Sequence, residues 1–155
     1  LYDRPYVDIL NDKIDPRHAD RIVFHGAQAH ADVVEFVRGA TLLVNPSYSE
    51  SFGMSLVEAM ACERAVVATR VGGMKEIVVD GETGRLVEPS DPQQLATAIN
   101  DLLADRNLIE SMGRAGRQRV LSLFSWDRIS ERSLELYAEL ASTRSDAPEA
   151  SDARP

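Results

Sequence analysis

Four short apolar runs punctuate the first part of the chain: RIVFHG ending at Gly26, TLLVNP ending at Pro46, AVVATR from Ala65 to Arg70, and GRLVEP from Gly84 to Pro89. Each is closed by a breaker or followed by a stretch with helical periodicity. Within these runs apolar residues follow one another instead of alternating with polar ones. A strand of that kind has both faces covered, as in a parallel sheet held between helices. The expectation is an α/β protein with a Rossmann-like parallel sheet and flanking helices.

After Pro89 the pattern turns helical. Asp91 and Pro92 supply an N-cap and a first helical residue, and Leu95, Ile99, Leu102 and Leu103 then fall on one stripe. A second helix is expected near residues 107–121. Trp126, Ile129, Leu136, Tyr137 and Leu140 mark a third, opened by Ser125 as a cap, and its apolar face needs a partner. Residues 142–155, STRSDAPEASDARP, hold no large apolar side chain and are expected to form a disordered tail, leaving 1–141 as the folded part.

Composition removes several function classes. A net charge of −8 gives no electrostatic footprint for nucleic acid or an anionic membrane. Arg114, Arg117 and Arg119 cluster, but on a surface helix they are expected to be a solvated face. No apolar run approaches the roughly 18 residues needed to span a bilayer, and the single cysteine, Cys62, fits a buried filler in a reducing compartment. A cytoplasmic location is expected, with peripheral membrane attachment left open for a full-length protein. His18, His25 and His30 lack a metal-ligand context and no Asp-x-Asp pair occurs, so no metal is expected. The absence of Gly-x-Gly-x-x-Gly and of a Walker A sequence disfavours an NAD module. The chain begins at Leu1 without an initiator methionine and is expected to be a fragment.

The segment Glu50 to Glu58, ESFGMSLVE, carries the chemistry. If TLLVNP is a strand and a helix starts near Gly53, this is a strand-to-helix crossing at the carboxyl end of a parallel sheet, where open α/β sheets bind ligands. The amides of Gly53, Met54, Ser55 and Leu56 would then be free donors at the positive end of a helix dipole, and Gly53 would let a phosphate come close. Glu58 lies one turn beyond Met54 and leans toward that end. A carboxylate beside a phosphate repels it unless it addresses another part of the ligand, and vicinal hydroxyls can donate to it in parallel. A nucleotide sugar, with hydroxyls at both ends and phosphates between, has that form. Ser47-x-x-Glu50 and Ser55-x-x-Glu58 also match the capping box, so the spacing leaves both readings open.

Taken together, PSYSESFGMSLVEAMACERAVVATRVGGMKEIVVDGETGRLVEP resembles the donor-binding region of retaining glycosyltransferases of the GT-B fold, the glycosyl transferases group 1 family. The resemblance runs from about Arg21 to Leu140 and rests on the Glu50/Glu58 spacing, the Ser-Phe-Gly turn, the GG before EIV and the TG before the last strand. It implies the C-terminal, donor half of a GT-B fold, incomplete at its N-terminus. Glu50 would then lie beside the donor sugar as the catalytic-site carboxylate. Ser51, Phe52, Gly53, Met54, Ser55 and Leu56 would bring main-chain amides to the sugar and diphosphate, Glu58 would hold the ribose hydroxyls, and the loop at Ala27 and Gln28 would contact the base. Gly72 and Gly73 are expected to shape a turn.

Two departures from the family pattern stand out. Where Gly-x-Pro is usual, this chain has Glu63, Arg64 and Ala65, so the turn lacks the φ freedom of glycine. Two further strands and a Gly-Arg...Lys segment that neutralises the diphosphate are not found. In a 3-2-1-4-5-6 sheet those strands would be central, leaving RIVFHG without neighbours. No Lys or Arg lies between Ala40 and Cys62, and Arg64, Arg70 and Lys75 are the candidates to take the missing cation's place. The function implied is transfer of a sugar from a UDP- or GDP-sugar to an acceptor the sequence does not name. The alternative is a non-catalytic nucleotide-sugar-binding or interaction fragment. Self-association through the unpaired first strand or the last helix is plausible on either reading.

Overall fold

The computed structural model describes residues 4–145, which fall into two compact units divided at Val33/Val34. The first holds α1 (Tyr6–Asn11) and a 3-10 turn over Pro16–Arg21, opened by Asp15, whose carboxylate accepts the Arg17 amide at 2.9 Å. Helix α2 (His30–Gly39) begins in this unit and ends in the next. The expected strand RIVFHG does not form. Ile22 is extended (φ −114°, ψ 124°), yet no ladder joins the segment to another strand among the described residues. Ile22, Val23 and Phe24 are exposed. An apolar, extended segment becomes a strand only when a neighbour takes its backbone groups, and no described segment does so here.

The second unit carries the other three runs as β1 (Leu42–Asn45), β2 (Ala65–Thr69) and β3 (Gly84–Val87), all parallel in that order, with Leu42 opposite Ala65 and Val66 opposite Gly84. The α/β expectation holds. Successive residues of β2 face opposite layers. Val66 and Ala68 pack with α3 (Met54–Ala61) and α4 (Met74–Ile77), while Ala65 and Val67 pack with α5 (Pro92–Ala104). Every residue of β2 is buried, whereas β1, paired on one side only among the described residues, is half-buried throughout.

Helix α6 (Arg106–Leu123) serves both layers, giving Met112 to one cluster and Val120 to the other. It reaches α3 closely because Gly113 and Gly116 lie in the contact: a Cβ on Gly113 would stand 2.2 Å from the Glu63 carbonyl oxygen, and one on Gly116 3.2 Å from Met60 Cγ. Of the three arginines expected to form a solvated face, Arg114 is exposed as expected, but Arg117 and Arg119 are engaged. Arg119 donates from Nε to the Ile77 carbonyl at 2.8 Å and from Nη2 to that of Glu76 at 2.6 Å, and Arg117 donates to the Ala61 carbonyl. The two residues therefore satisfy orphan carbonyls at the ends of α4 and α3.

The two expected caps form. Asp91 accepts the Gln94 amide at 2.9 Å, and Ser125 accepts that of Arg128 at 3.4 Å, opening α7 (Trp126–Ser145). Asp105 adds a cap the sequence reading did not name, accepting the Leu108 amide at 3.0 Å. α7 carries helix past residue 142, where the tail was expected to begin. Nothing between Leu140 and Ser145 breaks a helix, the next proline being Pro148. The remainder of that expectation lies outside the described residues.

The end of α3 absorbs the first departure from the family pattern. The Arg64 amide bonds the Ala59 carbonyl at 2.9 Å and the Glu63 amide that of Met60 at 3.0 Å, the Schellman pair of bonds. Glu63 occupies the left-handed position of that motif at φ 58°. A side chain there costs about 1–2 kcal/mol. Glu63→Gly is therefore expected to stabilise the fold by about 1 kcal/mol, part of the gain being offset by the greater freedom of glycine in the unfolded chain, and a rise in the urea midpoint would register it.

Candidate functional site

The crossing from β1 to α3 is held by side chains at the sheet's carboxyl edge. Asn45 donates from Nδ2 to Ser55 Oγ at 3.1 Å and accepts at Oδ1 from the Ser47 amide at 3.2 Å and the Ser47 hydroxyl at 2.7 Å. Thr69, closing β2, donates its hydroxyl to the Ser47 carbonyl. Strand end, loop and helix start are thereby tied to one another before any ligand arrives.

Gly53 is the N-cap of α3, at φ 108° and ψ 50°. It is buried, and a Cβ built on it would face Ile77 Cδ1 and Leu56 Cδ1 at 3.4 Å and Met74 Cγ at 3.5 Å. Glycine is required here by a backbone conformation other residues resist, over an apolar floor. The expectation that it spares room for a phosphate is corrected, because its open side points into the core.

The opening is also narrower than expected. The Leu56 amide donates to the Gly53 carbonyl at 2.9 Å, and the Phe52 amide donates to Glu50 Oε1 at 3.4 Å. That leaves the amides of Gly53, Met54 and Ser55 without an acceptor among the described residues. Neither capping box forms: the N-cap has no side chain, Ser47 is bound to Asn45, and Ser55 is already the second helical residue. Ser51 is exposed beside the opening.

Helix α3 buries Leu56, Val57, Ala59 and Met60, which leaves Met54, Ser55 and Glu58 on its outer stripe. Side chains on a helix tilt toward its N-terminus, so the Glu58 carboxylate leans toward the free amides. It is half-buried and has no hydrogen bond or ion pair among the described residues. Glu50 differs, since its carboxylate already closes the turn onto Phe52.

The turn rests on the two glycines after β2. A Cβ on Gly72 would lie 1.8 Å from the Glu50 carbonyl oxygen, and one on Gly73 would lie 2.6 Å from that of Ser51 and 2.7 Å from Phe52 Cα. The loop to α4 thus packs backbone against backbone beneath the turn. The Phe52 ring meets that of Phe124, at the end of α6, edge to face with centroids 5.7 Å apart. Asn45 and Phe124 carry no local signal in the sequence, and Phe124 is distant along the chain; the GG pair was visible, but not what it supports.

Of the three candidate cations, two are engaged elsewhere. Arg64 donates to the Cys62 carbonyl at 3.0 Å and the Ala40 carbonyl at 3.2 Å, at the far end of α3, about 12 Å from the opening. Arg70 pairs with Asp80 at 2.8 Å and Glu88 at 3.1 Å. Lys75, two residues beyond Gly73, is exposed and has no partner among the described residues. Gln28 belongs to the first unit, where its side-chain amide donates to the His25 carbonyl.

The Arg70 pair has a pH signature. Burial pushes the Asp80 carboxyl up, but the Leu86 amide at 3.0 Å and the Arg70 guanidinium outweigh it and hold the group below its ordinary range. The native state then binds fewer protons than the unfolded one, so this contribution is complete above the unfolded pKa of about 3.9 and disappears as pH falls through the lowered native value. The urea midpoint is expected to drop on acidification below about pH 4, and Asp80→Asn to remove part of that slope.

Among the described residues no helix is long and apolar enough to cross a membrane, and no group of three or more His, Cys, Asp or Glu could hold a metal ion. A family model described as glycosyl transferases group 1 matches residues 5–119. The alpha-maltose-1-phosphate synthase of Mycolicibacterium smegmatis is 43% identical over 113 residues, 69% of this chain and 29% of that protein. The D-inositol 3-phosphate glycosyltransferase of Paenarthrobacter aurescens is 39% identical over 124 residues, 80% and 30% of the two chains. Among solved structures, sucrose-phosphate synthase from Thermosynechococcus elongatus superposes with a TM-score of 0.78 at 37% identity, over 88% of this chain and 34% of that one. Anabaena HepE in complex with UDP-glucose gives 0.77 at 29%, over 86% and 37%. The chain thus spans about a third of the length of these relatives.

Proposed function

The chain belongs to the glycosyl transferases group 1 family, and from that footing we propose that it supplies the donor-binding part of a retaining glycosyltransferase, one that moves a sugar from a UDP- or GDP-sugar to an acceptor. The observation that carries the reading is the start of α3: unpaired amides on Gly53, Met54 and Ser55, with the unpaired Glu58 on the same stripe. The amides face the diphosphate and Glu58 accepts from the ribose hydroxyls, while Glu50, held by the Phe52 amide, lies beside the donor sugar.

As the bond from the anomeric carbon to the diphosphate breaks, negative charge grows on the leaving oxygen. Donors fixed at a helix start favour that charge more in the transition state than in the ground state. The fixing is structural, since Asn45, Thr69 and the Gly72–Gly73 loop set the turn in advance. No metal is invoked, and Lys75 is the cation available to offset the phosphates. Glu50 is assigned no nucleophilic role. Support from relatives is the UDP-glucose complex of HepE.

Calorimetry of the chain against UDP, GDP and ADP tests the reading. Saturable binding of one nucleotide, with the others weaker, is expected. Absence of heat with all three at millimolar concentration would leave the interaction-fragment alternative in its place.

A further inference from the structure

A second concavity opens at the carboxyl ends of the strands on the α5 side, with a volume of about 480 Å³. That lies within the span of about 300–1,000 Å³ typical of small-molecule sites. Tyr48 borders it from the β1 loop, Val87 from the end of β3, and Glu88, Ser90, Asp91 and Leu95 from the run into α5. We propose that this groove binds a neutral saccharide.

The chemistry of the lining selects that class. Tyr48 is 76% exposed, so its ring has a free face, and together with Pro92 and Leu95 it offers the C–H surface of a sugar ring an apolar seat. Glu88 engages Arg70 through Oε1, and Asp91 engages the Gln94 amide through Oδ1. Their second oxygens and the Ser90 hydroxyl have no partner among the described residues and remain to accept from ligand hydroxyls.

Anions are disfavoured, because two carboxylates and no Lys or Arg line the groove. A metal cation is disfavoured as well: Ca²⁺ takes about six to eight oxygens, and no three carboxylates converge here. Tyr48 lies two residues from Glu50, so the groove begins within about 7 Å of the turn beside the donor site. As the seat of a second sugar for the transfer reaction the inference rests on the donor reading, although binding itself does not.

Amide NMR of the full chain separates the two. Maltose is expected to shift the amides of Tyr48, Ser90 and Leu95, and UDP those of Gly53 to Ser55. Tyr48→Ala is expected to weaken maltose about fivefold to tenfold and to leave UDP unchanged. Maltose shifts absent from the groove, maltose affinity unaltered in Tyr48→Ala, or inorganic phosphate perturbing the groove as strongly as maltose would each overturn the proposal. Maltose binding as expected with no response to UDP upholds the groove and removes the donor reading instead.

Discussion

Gly72→Ala is expected to cost the fold about 3–4 kcal/mol and to abolish nucleotide binding. Two effects combine. Gly72 sits at φ 44°, in the left-handed region, where a side chain costs about 1–2 kcal/mol. Its Cβ would also stand 1.8 Å from the Glu50 carbonyl oxygen. That neighbour is backbone and cannot rotate away, so the turn itself must move, and overpacking of this kind costs about 1–3 kcal/mol. Gly73→Ala separates the two terms. Gly73 has an ordinary φ of −67°, and only its clashes at 2.6–2.8 Å with Ser51 and Phe52 would be felt. Urea unfolding at constant pH should therefore rank Gly72→Ala below Gly73→Ala and both below the parent, with the slope unchanged. A Gly72→Ala midpoint equal to the parent's would mean that the loop after β2 does not support the turn in solution.

The second large effect is on binding with the fold preserved. Glu58 is on the outer stripe of α3 and makes no bond to other described residues, so Glu58→Ala should leave the unfolding curve unmoved, alanine being the better helix former. A carboxylate taking two ribose hydroxyls forms two charge-assisted hydrogen bonds at about 1.5–3 kcal/mol each. Even at the low end their loss weakens the nucleotide about 100-fold. Glu58→Gln, which keeps one acceptor oxygen without the charge, should fall between. The assignment to ribose is checked with a nucleotide lacking the ribose hydroxyls: the parent should discriminate against it and Glu58→Ala should not. Equal discrimination by both proteins would place those hydroxyls elsewhere.

The three strands of the second unit could be read from the sequence because continuous apolar runs bounded by breakers leave few other solutions. The same pattern misled at RIVFHG, since it reports what a segment can bury and not whether a neighbour exists to pair with it. Helix starts at Asp91 and Ser125 were legible, cap chemistry being local, whereas the Asp105 cap was passed over. Glu50 and Glu58 were found by spacing, and the structure answered what spacing left open: Glu50 closes its own turn, while Glu58 is unpaired. The reason for Gly53 was misjudged because sequence names a glycine but not the side its missing Cβ would face. In the sequence Arg64 and Arg70 read as candidate cations for the diphosphate, and Arg117 and Arg119 as a solvated face. Their carbonyl and carboxylate partners come from distant segments, and only the folded chain distinguishes a cap from a free cation.

The half-buried β1 has a colloidal consequence. Along Leu42–Asn45 the backbone groups on the side away from β2 have no ladder partner among the described residues, and an extended apolar peptide could zip onto them. A charge of −8 keeps copies apart while their fields reach one another, roughly 30 Å at 0.01 M salt and about 3 Å at 1 M. Concentrated stocks should therefore stay clear in dilute buffer and turn turbid as salt rises, the reverse of ordinary salting-in.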